Sequence, residues 1–110
     1  MIEKVILDYL SNIMEVPVSM EKNNKSIKKY ILIEKTGSSR GNFINTATFV
    51  FQSYAESKYE AAKLNEQLKI NMDNIIELPE ISKSALNSDY DYTDTQTKEY
   101  RYQAVYSIVY

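Results

Sequence analysis

The chain has 110 residues, with 13 Lys+Arg against 15 Asp+Glu, ten Tyr, and neither His nor Cys. This length predicts a single domain, and the lack of Cys and His excludes disulfides, thiolate nucleophiles, iron–sulfur clusters, Cys-type zinc sites and histidine acid–base chemistry. Residues 1–54 carry a net charge of +2 and residues 55–110 one of −4, and neither half has the clustered basic charge typical of nucleic-acid binding.

The first element in the chain is predicted to be an amphipathic helix. Apolar residues recur at three- and four-residue spacing from Ile2 to Ile13, which is the spacing of one helical face. Pro17 disfavours helical backbone at the residue before it and therefore predicts that the helix ends there. Residues 16–20 favour a short edge strand, and the polar residues 21–29 favour a loop.

The start of the sequence also bears on where the protein is found. Acidic and basic residues are mixed there, and no apolar run is long enough for a signal peptide or a membrane span. We therefore expect a cytoplasmic product that is not secreted by a signal peptide and has no membrane partner.

A long β-hairpin is predicted next. Tyr30–Lys35 is almost continuously apolar and predicts a buried strand, and Phe43–Tyr54 alternates over the length of a long strand. The residues between them, 36–42, include both glycines of the chain. They predict a turn, so we expect a mobile hairpin tip at 36–42.

A second helix and two more strands complete the predicted elements. Two consecutive capping-box patterns, Ser53–Glu56 and Ser57–Glu60, predict that the helix begins at one of them. It is expected to end near Glu77, since a proline follows. Residues 81–92 and 100–110 predict strands joined by a polar turn.

The predicted fold is a single α+β domain over residues 1–110, with the element order α-β-β-β-α-β-β. The simplest assembly packs both helices on one face of a mainly antiparallel sheet. In the last two strands tyrosines recur at every second position, so Tyr90 and Tyr92 share one face of their strand, as do Tyr100 and Tyr102 of theirs.

The sequence offers little chemistry for catalysis, and we expect a protein that is not an enzyme. Asp89, Asp91 and Asp94 are closely spaced, and the first two share a strand face on which they could hold a hard cation such as Ca²⁺. A charged strand that discourages edge aggregation is the favoured interpretation. No catalytic, cofactor-binding or metal site is predicted, and 36–42 lacks the Lys-Ser/Thr ending of a phosphate loop.

The many tyrosines instead indicate protein contacts. Tyrosine buries its ring while its hydroxyl seeks a partner, and it is enriched at protein interfaces. Cross-strand tyrosine pairs account for part of the excess, whereas base stacking would need a basic groove that the acidic half lacks. The predicted interface residues, on the hairpin tip and the tyrosine-rich strands, are Gly37, Ser38, Ser39, Arg40, Gly41, Asn42, Tyr90, Tyr92, Tyr100 and Tyr102.

Several segments together carry a family resemblance. They are the opening helix Ile2–Ile13 with Val16-Pro17-Val18, the strand Tyr30–Glu34, the strand Phe43–Tyr54 running into Ser57-Lys58-Tyr59-Glu60-Ala61-Ala62, and the final strand from Tyr100 to Tyr106. This layout resembles the small tail terminator, or tail completion, proteins of long-tailed bacteriophages and their prophages.

The resemblance implies an α/β fold with helices against a mainly antiparallel sheet, and a hexameric ring on the last ring of the tail tube. Such a ring stops tube polymerisation and joins the tail to the head connector. The implied partners are further copies of the chain, the tail tube protein and the head-connector protein. The lumen passes DNA without reading its sequence, no cofactor is involved, and the protein resides in the virion tail after assembly in the host cytoplasm.

The alternative is a small cytoplasmic protein-binding module, an adaptor or immunity-type protein, that turns its Tyr/Asp-rich strands towards a basic partner. Binding of one partner without self-assembly is its expected sign. A metal enzyme built on Asp89 and Asp91 would show turnover that is lost on their replacement by alanine. A nucleic-acid binder would show salt-sensitive binding to an oligonucleotide.

Overall fold

The computed structural model describes residues 1–22 and 27–110, and within them two helices pack on one face of a five-stranded sheet. The elements are α1 (Ile2–Ile13), β1 (Val18–Ser19), β2 (Tyr30–Gly41), β3 (Ile44–Ala55), α2 (Lys58–Asn74), a short 3₁₀ helix (Ile75–Glu77), β4 (Lys83–Asp91) and β5 (Tyr100–Val109). The predicted α+β class and element order are confirmed. Of the loop predicted at 21–29, residues 23–26 lie outside the described residues.

The strands lie in the order β1-β2-β3-β5-β4. β1 pairs with β2 in parallel, and the other three neighbouring pairs are antiparallel. The sheet is therefore mainly antiparallel, as predicted, with one short parallel strand at its edge. β5 comes last along the chain but lies in the middle of the sheet, between β3 and β4.

The core lies between the helices and one face of the sheet. Apolar side chains at alternate positions of β2, β3 and β5 meet the apolar stripes of both helices, as the period-2 and period-3.6 patterns predict. Removing each large side chain from water is worth about 1.5–3 kcal/mol. The largest fully buried side chains are Tyr106, Phe49, Phe51, Ile6, Leu10, Ile31, Ile33, Leu64, Leu68, Met72, Ile75 and Ile108.

The opposite face of the sheet, here called the open face, carries no described helix. Its central positions alternate with the core residues of the same strands. They are Thr46, Thr48, Val50, Gln52 and Tyr54 on β3, and Arg101, Gln103, Val105 and Ser107 on β5.

α2 begins at the second of the two predicted capping patterns. Ser57 is the N-cap residue, and its Oγ accepts a hydrogen bond from the backbone N–H of Glu60 at 3.1 Å. This contact satisfies one of the N–H groups that a helix start leaves without an intrahelical partner. After Asn74 the 3₁₀ helix continues to Glu77, which is the predicted end of the helical segment.

The hairpin turn is shorter than predicted. β2 pairs with β3 continuously as far as Gly41, with one irregularity, so the turn holds only Asn42 and Phe43. Their φ angles of 52° and 63° are both positive, as in the type I′ turns that match the twist of paired strands. The prediction that residues 36–42 form the turn was therefore wrong, because ladder hydrogen bonds use backbone groups that Gly and Ser also supply. The mobility predicted for this segment stays a prediction.

Candidate interaction surfaces

The hairpin of β2 and β3 ends in a two-stranded arm, here defined as residues 36–44. β5 pairs with β3 only from Thr46 onwards, so the arm extends past its neighbour in the sheet. Every residue of the arm is exposed. The six predicted interface residues between Gly37 and Asn42 all lie on this arm.

Phe43 at the tip of the arm is the most conspicuous exposed side chain. It is 89% exposed, and the neighbouring Ile44 is 52% exposed. The positive φ of Phe43 costs an L-residue about 1–2 kcal/mol, and such strain is typical of functional positions. The guanidinium carbon of Arg40 lies 6.0 Å from the centroid of the Phe43 ring. The tip thus presents the aromatic and arginine side chains that dominate protein interfaces.

Sequence reasoning included Arg40 but missed Phe43, which it placed at the start of the following strand. Two signals were available in the sequence. First, Asn42 is a residue type that favours the left-handed region in two-residue turns. Second, Phe43 directly follows the polar segment 36–42, whose side chains offer its ring no apolar neighbours.

An aromatic row crosses the open face at the end remote from the arm. The Tyr30 and Tyr54 rings stack with centroids 4.5 Å apart and an interplanar angle of 9°. The Arg101 guanidinium carbon lies 5.6 Å from the Tyr54 centroid and 4.7 Å from that of Tyr92. Tyr92 meets Tyr90 edge to face at 6.0 Å. The row therefore links all four long strands of the sheet.

Hydrogen bonds hold this aromatic row in place. The Tyr54 hydroxyl donates to Gln52 Oε1 at 3.0 Å and accepts from an Arg101 guanidinium nitrogen at 3.1 Å. Gln52 Nε2 donates to Gln103 Oε1 at 2.8 Å, and Gln103 Nε2 in turn donates to the Tyr90 hydroxyl. Because Tyr54, Gln52 and Gln103 each have two hydrogen-bond partners, the central part of the row is preorganised.

The four predicted interface tyrosines do not form one surface. Tyr90 and Tyr92 lie on the open face and are 42% and 44% exposed. Tyr100 and Tyr102 are half-buried on the other face, because they alternate in step with the core residue Ala104 of the same strand. Only the first pair is presented by the open face.

The stacked rings of Tyr30 and Tyr54 are not available for stacking with a nucleic-acid base. Tyr30 and Tyr54 are each 5% exposed, and burial raises the pKa of the Tyr30 hydroxyl to about 12. A cleft of about 900 Å³ lies beside them, and its lining mixes three lysines with two glutamates. Of these charged residues, Lys22 and Glu99 form an ion pair at 3.2 Å.

The predicted acidic positions of β4 face the helices and are ion-paired. The Asp89 carboxylate accepts hydrogen bonds from Lys69 Nζ and Asn65 Nδ2, both at 2.9 Å, and Asp91 lies 3.5 Å from Lys58 Nζ. The Lys69 ammonium, against the opposing effect of burial, holds the pKa of the Asp89 carboxyl below its usual value. Residues 1–22 and 27–110 contain no group of three or more His, Cys, Asp or Glu side chains arranged to hold a metal ion.

No protein-family model matches the chain, and no curated protein sequence matches it. Within the described parts of the chain, no helix is both long enough and apolar enough to cross a membrane. The arm and the aromatic row are the features of the described residues that bear on function.

Proposed function

We propose that the chain is a structural assembly protein of a long-tailed bacteriophage or prophage, of the tail terminator type that its layout resembles. Copies form a ring, expected to be a hexamer, that caps the tail tube, stops its polymerisation and joins it to the head connector. The observation that carries the proposal is the arm, a two-stranded projection that is exposed throughout and has a strained Phe43 at its tip.

A cyclic ring needs a heterologous interface, in which each subunit uses two different patches. The arm lies at one end of the β2–β3 hairpin, and the aromatic row crosses the sheet at the other end. This arrangement supplies two unlike patches on opposite ends of one subunit. The side chain of Phe43 has little to bury it within the subunit, so a neighbouring chain is its natural environment.

The remaining partners follow from the ring. One rim contacts the tail tube protein, the other rim contacts the head-connector protein, and DNA passes through the lumen without sequence-specific contacts. The protein then resides in the virion tail, after assembly in the host bacterial cytoplasm. No cofactor and no catalytic residue is needed for this role.

The proposal is tested by sedimentation velocity and by electron microscopy of tail tubes polymerised with and without the protein. We expect rings at tube ends and tubes that stop growing when the protein is added. The Phe43→Ala variant should fold normally and lose ring formation. Ile70→Ala is the matched control, since Ile70 is also an exposed apolar side chain, at 60%, but lies on α2. Uncapped tubes and a monomer at every concentration would contradict the proposal.

Tyr90 and Tyr92 favour a second candidate, the protein-binding module of adaptor or immunity type. Their rings are exposed together on the open face, a composition typical of binding surfaces. Their acidic neighbours are already paired with lysines of α2, which weakens the attraction to a basic partner. A monomer that binds one protein in a one-to-one complex, with loss of binding in Tyr92→Ala, would favour this candidate over the ring.

A further inference from the structure

The described sheet has two unpaired edges. β1 pairs with β2 only at Ile31 and Leu32, so within the described residues the outer edge of β2 is unpaired beyond that point. Among the described residues β4 pairs only with β5, so its other edge is unpaired there as well. Unpaired edges of this length are templates for another strand, and natural proteins cover them or use them.

We propose that these two edges pair with each other between copies of the chain. The segment 37–41 of β2 in one copy adds to the segment 88–91 of β4 in the next copy, and the sheet continues across the interface. This inference rests on the proposed ring and names its interface, with a second copy as the occupant of each edge.

Bulges limit where regular pairing is possible. β2 has a register shift between Lys35 and Gly37, and β4 has one between Leu86 and Ser88. A bulge disrupts the ladder locally, so each edge has an undisturbed segment on the far side of its bulge. These segments, 37–41 and 88–91, have nearly equal lengths. Neither contains proline, and a Cβ atom added to Gly37 or Gly41 would meet open space.

On each of the two segments, alternate residues point their backbone N–H and C=O groups outwards, away from the sheet of their own subunit. The two-residue turn makes Gly41 and its partner a hydrogen-bonded pair, so alternation directs the N–H and C=O groups of Ser38 and Arg40 outwards. On the other edge, Tyr92 donates inwards to Arg101, so Asp89 and Asp91 are the residues directed outwards.

One antiparallel register satisfies both directions. It places Arg40 opposite Asp89, Ser38 opposite Asp91, and Ser39 opposite Tyr90. The first two are then hydrogen-bonded pairs, and the third is the closer, non-hydrogen-bonded pair.

The charges of the two edges are complementary in this register. Arg40 is the sole charged residue of the arm, whereas residues 84–97 contain three aspartates and no lysine or arginine. Lys69 and Lys58 of α2 already pair with Asp89 and Asp91, so Arg40 adds a second cation beside Asp89, and this contact fixes the register of the two edges more than it adds affinity. Strand alternation puts Arg40 on the helix-facing side of β2, and Asp89 faces the helices of its own copy. In a cyclic ring the helices of all copies lie on the same side of the continued sheet, so these side chains meet on one face.

The direction and offset of the strands also fit a closed ring. β2 and β4 are antiparallel within one subunit, so copies related by rotation bring the two edges together antiparallel. Within the sheet, Ser39 is level with Thr46 and Tyr90 is level with Gln52, an offset of about 20 Å along the strands. Across four strands of about 19 Å total width, that offset is a strand tilt of about 45°, which is usual for closed sheets.

Engineered cysteines test the register, because the chain has none of its own. A non-hydrogen-bonded antiparallel pair brings the two Cα atoms to about 4.5 Å, within disulfide range. Equimolar S39C and Y90C copies, mixed and oxidised, should form a disulfide-linked pair of chains, and neither variant alone should. S39C mixed with S11C is the matched control, since Ser11 is exposed on α1. The double variant S39C/Y90C should give a ladder of linked chains up to the ring size.

The outcomes separate this inference from the proposed function. Rings that cap tubes but give no S39C–Y90C disulfide would overturn edge pairing and leave the tail function standing. S39C copies that link to one another would overturn it in favour of symmetric pairing of two β2 edges. A disulfide ladder in a protein that leaves tubes uncapped would support edge pairing and refute the tail function. A monomer with no disulfide and no capping would overturn both.

Discussion

Replacing Phe43 by glycine should stabilise the isolated chain while it weakens assembly. The left-handed backbone at Phe43 costs about 1–2 kcal/mol that glycine does not pay. Against this gain, glycine makes the unfolded chain more flexible, which costs about 0.5–1 kcal/mol of stability. Loss of the contact between Phe43 and Arg40, at 6.0 Å, costs up to about 0.5 kcal/mol more. Because the side chain is 89% exposed, almost no burial is lost.

The net gain is about 0.5 kcal/mol, which for a domain of this length raises Tm by about 2 °C. Thermal unfolding followed by circular dichroism, at concentrations where the chain is monomeric, measures this shift. Phe43→Ala is the matched control, because alanine removes the ring but keeps the Cβ atom and with it the strain. Its Tm should stay near that of the wild type, and both variants should lose ring formation.

The prediction on stability and the prediction on assembly can be refuted independently. A Phe43→Gly variant that melts below Phe43→Ala, which has lost the same aromatic side chain, would show that the turn is not strained at this position. If both variants still assemble into the oligomeric ring as the wild type does, the aromatic side chain of Phe43 is not an anchor of the interface, whatever the stability measurement gives.

Three further predictions concern the fold. Lys69 lowers the pKa of Asp89, so this carboxylate stabilises the fold above about pH 4, and the stabilisation is lost as the pH falls through the lowered pKa. The urea midpoint of Asp89→Asn should therefore depend less on pH, between about 5 and 2, than that of the wild type. The same pH dependence in both proteins would contradict this prediction. Ser57→Ala should cost about 1 kcal/mol in urea unfolding through the lost helix cap, against under about 0.5 kcal/mol for the exposed Ser11→Ala, and equal effects would argue against the cap. Arg101→Gln should cost about 1–2 kcal/mol and alter the near-ultraviolet circular dichroism of the tyrosines, whereas an unaltered spectrum would refute the preorganised row.

Elements whose signals are local were predictable from the sequence. The helix Ile2–Ile13 has the observed bounds because its apolar spacing and the following Pro17 are both short-range features. The start of α2 was narrowed to two capping patterns, and Ser57 was selected by the structure. The order of elements follows from the same patterns.

The turn of the hairpin was misplaced because its local signals conflicted. Gly37 and Gly41 are typical of turns, yet they lie within a strand. The strand continues through them because Phe49 and its neighbours on β3 hold the pairing register, and the twist of the paired strands then favours a two-residue turn. Phe43 takes its strained position because the register leaves it no other.

The surfaces depended on contacts that no local pattern specifies. Alternation showed that Tyr100 and Tyr102 share a face, but only the packing of α2 decides that this face is the covered one. Likewise, the stack of Tyr54, Arg101 and Tyr92 joins β3, β5 and the residue that follows β4, and its existence depends on β5 lying between β3 and β4.

The central position of β5 has a consequence for how the protein is made. During synthesis β2 and β3 are available early, and such a hairpin closes in microseconds. Its partner on the other side, residues 100–109, is translated only after α2 and β4, so until then Phe49 and Phe51 have a neighbouring strand on the β2 side alone. Late insertion between β3 and β4 then completes both halves of the sheet at once, which favours all-or-none folding and makes the nascent chain a natural client of ribosome-bound chaperones until β5 arrives.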